Sequence, residues 1–412
     1  MTNVFIVGAG MTPLGKHIDK SVKKLTAMSV DAALADAGCG KEAIEAAWFS
    51  NTRQGLFEGQ HGIRGQAALR AYGFERIPII NTDNACASSS TGLYLAYAQI
   101  KAGLCEVALV VGTEKMNYPD KRDLMFQGFM GAMDREIGEE QIRAVMALSA
   151  DFPVPEAAQN VERSIFMDSY AAMARHHMKL YGTTVRQLAA VASKNHTNSQ
   201  FNEYSQYRTP KTIEEVLADK PVVWPFTRAM CAPMSDGSAA LVVCAESALA
   251  RFGGGKRAVK VLASALASGV KRRPDDFEQH VGRIASKKAF EQAGIGPGDL
   301  SLAEVHDATA FSEIRQVENL GLCELGAGGF LAERGETALG GRIPVNTSGG
   351  LLSKGHPIAA TGAVQLVELI TQLRGEAGKR QVANARLAIA ENGGGFYEGE
   401  EAVTAVTILG RA

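Results

Sequence analysis

The sequence contains no long apolar run. Nowhere do about 18 apolar residues follow one another without interruption, which excludes a transmembrane helix from the reading. It also lacks an excess of one charge: 43 Lys+Arg stand against 44 Asp+Glu, for a formal net charge of -1. That balance supplies no bulk drive toward nucleic acid or a membrane surface. Metal-type CxxC spacing is missing. The six cysteines (39, 86, 105, 231, 244 and 323) are scattered, and in a chain without an export signal they read as thiols rather than disulfides. The first ten residues lack the basic start and cleavage site of a secretory leader, and Gly410-Arg411-Ala412 is no peroxisomal address. Cytoplasm is the expected compartment.

What is present is an ordinary globular composition, 46% hydrophobic and 21% charged over 412 residues, enough chain for two or three domains. Strand and helix patterns alternate. Residues 4–7 are a short apolar strand that ends in a glycine turn, Gly8-Ala9-Gly10. Residues 25–37 have helical spacing and stop at Gly38. Residues 108–111 and 239–244 are unbroken apolar runs, as expected of strands covered on both faces. Residues 118–163 break the alternation with Met, Phe, Gly, charge, Pro153 and Pro155, and read as an excursion, a lid or substrate loop. Long helical patterns resume over 167–199. The glycines and basic residues of 251–256 suit a join between halves, after which the alternation restarts, with strands at 259–263, 303–306, 387–390 and 403–409 and helices at 277–293 and 311–319. Residues 81–92 and 346–362 are both small-residue turns entering a helix, and Ser235-Asp236-Gly237 precedes an apolar strand as Gly393-Gly394-Gly395 does, which hints at duplication. An α/β architecture follows.

Four segments carry chemistry. In Asn84-Ala85-Cys86-Ala87-Ser88-Ser89-Ser90-Thr91-Gly92, Cys86 stands near a helix start, where unpaired amides stabilise an anion and lower a thiol pKa. The alternative is a structural cysteine at a tight turn. In Asn346 through Pro357, His356 is fixed between Gly355 and Pro357 and suits the role of a base that takes a thiol proton, or simply marks a turn. His306, in Glu304-Val305-His306-Asp307-Ala308, ends a strand where open α/β sheets place functional groups, or is a satisfied structural histidine. Glu391-Asn392-Gly393-Gly394-Gly395 offers backbone amides for an oxyanion hole, or a hairpin turn.

Together, in this order and at these separations, the four segments resemble the thiolase superfamily, most of all its sterol-carrier or lipid-transfer type. The resemblance covers nearly the whole chain and includes Gly112-Thr113-Glu114-Lys115-Met116, Cys231 through Gly237, and Gln372 through Arg380. It implies a fold of two similar βαβαβαββ halves in five layers, α-β-α-β-α, at about 1–250 and 251–412, with a loop domain inserted at about 118–165. It implies Cys86 as the nucleophile that takes an acyl group from acyl-CoA and His356 as its base. His306 with His356 forms one oxyanion hole, and the amides of Cys86 and Gly393 form the other. Coenzyme A enters only as part of the substrate; no metal or other cofactor is expected. Homodimers or tetramers are the family habit.

The sequence departs from that pattern where thiolases carry a second acid/base cysteine. In the sterol-carrier type it follows the His-Asp pair, here Ala308. In the other main type it precedes the oxyanion glycine by two, here Glu391. Three readings stay open. Glu391 replaces the cysteine as a proton shuttle; or the chain transfers or hydrolyses acyl groups without a carbanion; or Glu391 is structural and Cys231 or Cys323 comes close. A CoA- or lipid-binding subunit without turnover is the non-enzymatic alternative. Tyr94, Tyr97 and Tyr397 raise a tyrosine-based retro-aldolase working with a small accessory protein, against which Cys86 argues. Met125, Phe126, Phe129, Met130 and Met133 suit an acyl tunnel, or core and dimer surface.

Overall fold

A computed structural model of the chain describes residues 2–155 and 165–412. The N-terminal half runs β1 (Val4–Met11), α1 (Val22–Ala37), β2 (Ala46–Ser50), α2 (Gln54–Glu58), α3 (Arg64–Tyr72), β3 (Ile79–Thr82), α4 (Ser88–Lys101) and β4 (Val107–Glu114). The chain then leaves the sheet for α5 (Arg122–Met130), α6 (Gly138–Ala147), α7 (Ile165–Tyr181), α8 (Val185–Ser199), α9 (Ile213–Leu217) and a small ribbon of β5 (Pro221–Val223) with β6 (Phe226–Thr227). It returns as β7 (Gly237–Ala245). The C-terminal half follows as β8 (Val259–Ser268), α10 (Val281–Ala293), β9 (Leu302–Glu304), α11 (Ala310–Asn319), α12 (Gly328–Glu333), α13 (Thr361–Arg374), β10 (Leu387–Gly394) and β11 (Val403–Arg411). Among the described residues no helix is long and apolar enough to cross a membrane.

The strands lie in the order β3-β2-β4-β7-β1-β8-β11-β10-β9. Two half-sheets meet at a narrow seam, where only Val4, Phe5 and Ile6 pair with Val261, Lys260 and Val259. The pairing senses repeat on either side. β2 runs parallel to β4, while β4–β7 and β7–β1 are antiparallel; β9 runs parallel to β10, while β10–β11 and β11–β8 are antiparallel. A parallel bridge from Ala303 to Val345 stands where β3 stands in the first half. The duplication hinted at by the two small-residue turns is therefore a duplication of topology. One proposed equivalence is corrected by it. Gly393 and Gly394 end β10, the counterpart of β4, rather than preceding a strand as Ser235-Asp236-Gly237 does.

Five layers result. Val30, Ala33 and Leu34 of α1 and Leu69 of α3 cover one face of the first half-sheet over Phe5, Phe49 and Leu109. Helices α4 and α13 form the middle layer: Leu93, Ala96 and Ile100 with Leu366, Leu369 and Leu373 pack against Trp48 and Val110 on one side and Leu302, Ala388 and Leu409 on the other. Val281, Ala285 and Ala289 of α10 close the far side over Ala263, Ile389 and Val406. Each such fully buried Leu or Ile contributes roughly 1.5–3 kcal/mol of transfer free energy. Burial from both sides is why β4 shows no polar alternation from Val107 to Val111.

Helix α1 ends as its sequence predicts, on Gly38 at φ 67. The expected turn at Gly8-Ala9-Gly10 does not form, because these residues lie inside β1. Their lack of a side chain serves packing: a Cβ at Gly10 would stand 2.5 Å from Ala33 N, and one at Gly8 would overlap Ala33 O.

Candidate active site

The starts of the two middle-layer helices face each other. A Cβ at Gly112 would stand 2.6 Å from Ala360 Cα, and one at Gly362 would overlap Ser90 Oγ. Small residues at these points let the two halves close on each other.

Cys86 sits in the turn that leads into α4. Ala85 is held at φ 49, a conformation that costs an L-residue roughly 1–2 kcal/mol. The turn offsets that strain with its own hydrogen bonds. Ser88 Oγ donates to Ala85 O (2.6 Å) and accepts from Asn84 N (2.9 Å), and Asn84 Nδ2 donates to Thr91 Oγ1 (2.9 Å). The sharp turn presents the Cys86 sulfur to the facing loop, where His356 Nε2 lies 3.4 Å away.

The tautomer of His356 follows from its neighbours. Thr361 Oγ1 gives its one proton to Pro357 O (3.0 Å), so at 2.7 Å from His356 Nδ1 it can only accept. Nδ1 therefore carries the hydrogen, and Nε2 offers its lone pair to the thiol. The loop is anchored through buried groups. Lys354 Nζ binds Glu304 Oε2 (3.2 Å) and Ser348 Oγ (2.7 Å), and Asp307 accepts from Leu351 N (2.6 Å) and Asn195 Nδ2 (2.8 Å). Ser235 Oγ accepts from His356 N (2.9 Å). Buried Glu114, at the end of β4, ties both sides together by accepting from Thr52 Oγ1 (2.6 Å), Arg53 N (3.1 Å) and Ala359 N (3.2 Å).

His306 is the third member. Its ring centroid is 5.2 Å from that of His356, its Nε2 is buried without a hydrogen-bond partner, and its backbone N donates to Glu391 Oε2 (3.0 Å). The Cys86 sulfur and one nitrogen of each histidine lie within 4.8 Å of one another. A thiophilic cation could be held by such a set, and the same closeness is what proton transfer requires.

Electrostatics reverse one expectation. Burial pushes the Cys86 thiol up to about 12, outweighing nearby Arg53 and the amides of Cys86 and Gly395. The helix start does not leave a standing thiolate, because desolvation is the larger effect. Burial, His306 and Arg53 hold His356 well below the usual histidine range, and burial lowers His306 to about 4. The resting pair is a neutral thiol beside a neutral imidazole.

The glycine amide that favours the Cys86 thiolate is that of Gly395, whereas Gly393 was expected in that role. Gly393 is held in register with Thr404 inside β10, against the Glu401 side chain. Glu391 is fully buried, its Oε1 has no hydrogen-bond partner, and burial with Glu401 and Asp307 raises its carboxyl well above the ordinary range. Of the other thiols, Cys231 does come near, its backbone bridged to Thr309 beside Ala308, but its sulfur is turned to Thr227. Cys231 Sγ donates to Thr227 O (3.5 Å), and Cys323 packs in the outer layer of the second half. Tyr94 and Tyr97 lie further along α4, where Tyr97 Oη accepts from Gln292 Nε2 (3.0 Å), and Tyr397 is exposed. Two other tyrosines stand near the site: Tyr118, which packs in the apolar cluster with Cys86, and Tyr170 of α7, whose phenol is raised by burial and by Glu401, Cys86 and Glu391. No local signal marks Tyr170. Met125 and Phe129 join the apolar cluster around Cys86, while Met130 and Met133 pack with Phe396; the Phe126 side chain lies outside the described residues.

A two-half α/β fold here brings a cysteine from one half against a histidine from the other, the pairing that cysteine-based nucleophilic catalysis requires. A thiolase N-terminal domain model matches residues 4–216, and a thiolase C-terminal domain-like model matches residues 264–411. The chain belongs to the thiolase family. Sterol carrier protein 2 of Oryctolagus cuniculus is 33% identical over 411 residues, 95% of this chain and 70% of that protein. An acetyl-CoA acetyltransferase of Methanothermobacter thermautotrophicus is 35% identical over 400 residues, 96% of this chain and 97% of that one. Among solved structures, human mitochondrial 3-ketoacyl-CoA thiolase shares the fold with a TM-score of 0.70 at 17% identity, covering 100% of this chain and 99% of that one. An Ltp2-ChsH2(DUF35) aldolase does so with a TM-score of 0.77 at 21% identity, covering 99% and 98%.

Proposed function

We propose that the chain forms or cleaves a carbon–carbon bond between acyl-CoA units through an acyl-Cys86 intermediate. The observation that carries this is the 3.4 Å contact between Cys86 Sγ and the unprotonated Nε2 of His356. As the sulfur attacks the thioester carbon, its proton passes to Nε2 and the amides of Cys86 and Gly395 take the developing oxyanion. The C–S bond to CoA then breaks, and His356 returns the proton to the departing thiolate. In the second half-reaction, the Glu391 carboxylate takes an α-proton from acetyl-CoA, and His306, whose Nε2 has no partner in the resting site, donates to the enolate oxygen. The carbanion attacks the acyl carbon, the C–S bond to Cys86 breaks, and the proton taken up by Glu391 passes to the departing sulfur, restoring the neutral thiol. Burial that raises Glu391 makes it a stronger base once ionised.

Support for this reading comes from the acetyl-CoA acetyltransferase relative. The names of the sterol carrier relatives favour a second reading, lipid binding without turnover. We further propose a homodimer or tetramer. The aldolase of similar fold is named for two components, Ltp2 and ChsH2(DUF35), which favours an accessory protein here too. Incubation with acetyl-CoA followed by intact-mass measurement is expected to show one acetyl adduct, lost in Cys86→Ala; no adduct favours the binder. In deuterated water, α-proton exchange on acetyl-CoA is expected to fall about 10²–10⁴-fold in Glu391→Gln while the adduct still forms. Exchange that survives removes Glu391 from the mechanism.

A further inference from the structure

A cavity of about 440 Å³ opens beside Gly395, the residue whose amide faces the Cys86 sulfur. Tyr170 stands on its wall, and Val145, Leu148, Met173 and Phe396 make it apolar. Its charges are unevenly matched. Arg272 Nε is paired with Glu400 Oε2 at 2.8 Å. Arg315, on α11, has no ion pair or hydrogen bond among the described residues, and its Nε is buried without a partner. Its guanidinium carbon lies 4.5 Å from the ring centroid of Phe277 and 5.4 Å from that of Phe311. Two aromatic rings thus hold the cation by contacts that use none of its N–H donors.

An arginine in an apolar wall is costly unless a charge or acceptor meets it, and its planar fork matches a carboxylate in two parallel hydrogen bonds. The nearby carboxylates do not fill that role: Glu318 is engaged by His177 Nε2 at 3.0 Å and Gly328 N at 3.1 Å, and Glu401 is turned to another partner. Its Oε1 accepts from Gln316 Nε2 at 2.8 Å, and its Oε2 has no hydrogen-bond partner. Burial moves Glu401 toward its protonated form, in which it donates to a ligand carboxylate rather than repelling it.

We propose that this cavity receives the acyl part of the thioester and that Arg315 grips a carboxylate at the far end of that chain, making ω-carboxyacyl-CoA the preferred acyl donor class. The proposal rests on the acyl-Cys86 reading above. The apolar walls suit the methylenes, and the cation suits the terminus. A plain fatty acyl chain of the same length would bring a methyl group against an unpaired guanidinium.

The test measures the rate of Cys86 acylation by intact mass for matched pairs, hexanoyl- against adipoyl-CoA and octanoyl- against suberoyl-CoA, with acetyl-CoA as the control. The carboxylated member of at least one pair is expected to react roughly 10–100-fold faster, the value of charge-assisted hydrogen bonds to one arginine. In Arg315→Met that ratio is expected to collapse toward one, and Arg315→Lys to keep part of it. If acetyl-CoA modifies Cys86 but the methyl-terminated thioesters react as fast as or faster than their partners, the proposal is overturned and the acyl-enzyme reading stands. If no thioester, acetyl-CoA included, modifies Cys86, both fall. The wild-type ratio decides the matter even if the Arg315 variants do not fold.

Discussion

The two halves of the molecule use one topological element for opposite tasks. In the first half, residues 83–87 join the β3 strand to α4 in a cramped turn, strained at Ala85 and closed by its own serine and asparagine side chains. In the second, residues 346–360 make the equivalent connection as a long loop, with Asn346, Gly349, Gly350 and Gly355 at positive φ. Buried Asp307 and Glu304 hold it from outside, Glu304 by way of the loop's own Lys354. The difference teaches how a duplicated fold builds a two-residue site. The nucleophile needs only a sharp turn, which local bonds can hold. The base must reach across from the other half, and a loop that reaches must be anchored elsewhere.

The comparison breaks hardest at its reaching end. His356→Ala is expected to lower Cys86 acylation about 10²–10⁴-fold, because no thiolate stands ready in the wild type. A check on that cause is the alkylation of wild-type Cys86 by iodoacetamide. With the thiol held at about 12, the ionised fraction grows with every step of alkali, so the rate is expected to climb through roughly pH 7–10 without a plateau. A plateau near neutrality would mean a standing thiolate–imidazolium pair. Next comes the anchor. Lys354→Met leaves Glu304 buried without its counter-charge and is expected to cost about 3–5 kcal/mol of stability, read as a shifted denaturant midpoint. An unchanged midpoint would show that the loop does not depend on the buried pair. The smallest effect belongs to the short turn. Ala85→Gly removes the positive-φ strain but loosens the unfolded chain, so stability is expected to change by no more than about 1 kcal/mol in either direction. A larger loss would show that the turn relies on more than its backbone shape.

What the sequence disclosed follows the same division. Cys86 and His356 were legible because their own neighbours shape the backbone around them: small residues entering a helix, and a Gly–Pro bracket. The layered fold was legible from unbroken apolar strands and repeated turns. Features set by distant contact were not. Gly8 and Gly10 looked like a turn because a strand glycine and a turn glycine read alike until the helix above them is known. The thiol was expected to be acidic because a helix start is visible in sequence and burial is not. Gly395 took the position expected for Gly393 through the register of β10 on β11. Tyr170 and Arg315 arrive on helices whose own sequences only ask for burial. Thr361, five residues after His356, was within reach of local reasoning as the group that sets the tautomer.

The raised proton affinity of Cys86 bears on the protein between turnovers. Peroxide attacks sulfur in its anionic form, and the products beyond sulfenic acid are not readily reversed. A sulfur that gives up its proton only while a carbonyl is in place to receive its electrons offers oxidants almost no target at rest. On the proposed mechanism, the retained proton that calls for a base also keeps the partly buried sulfur reduced, and this form of protection needs no disulfide partner.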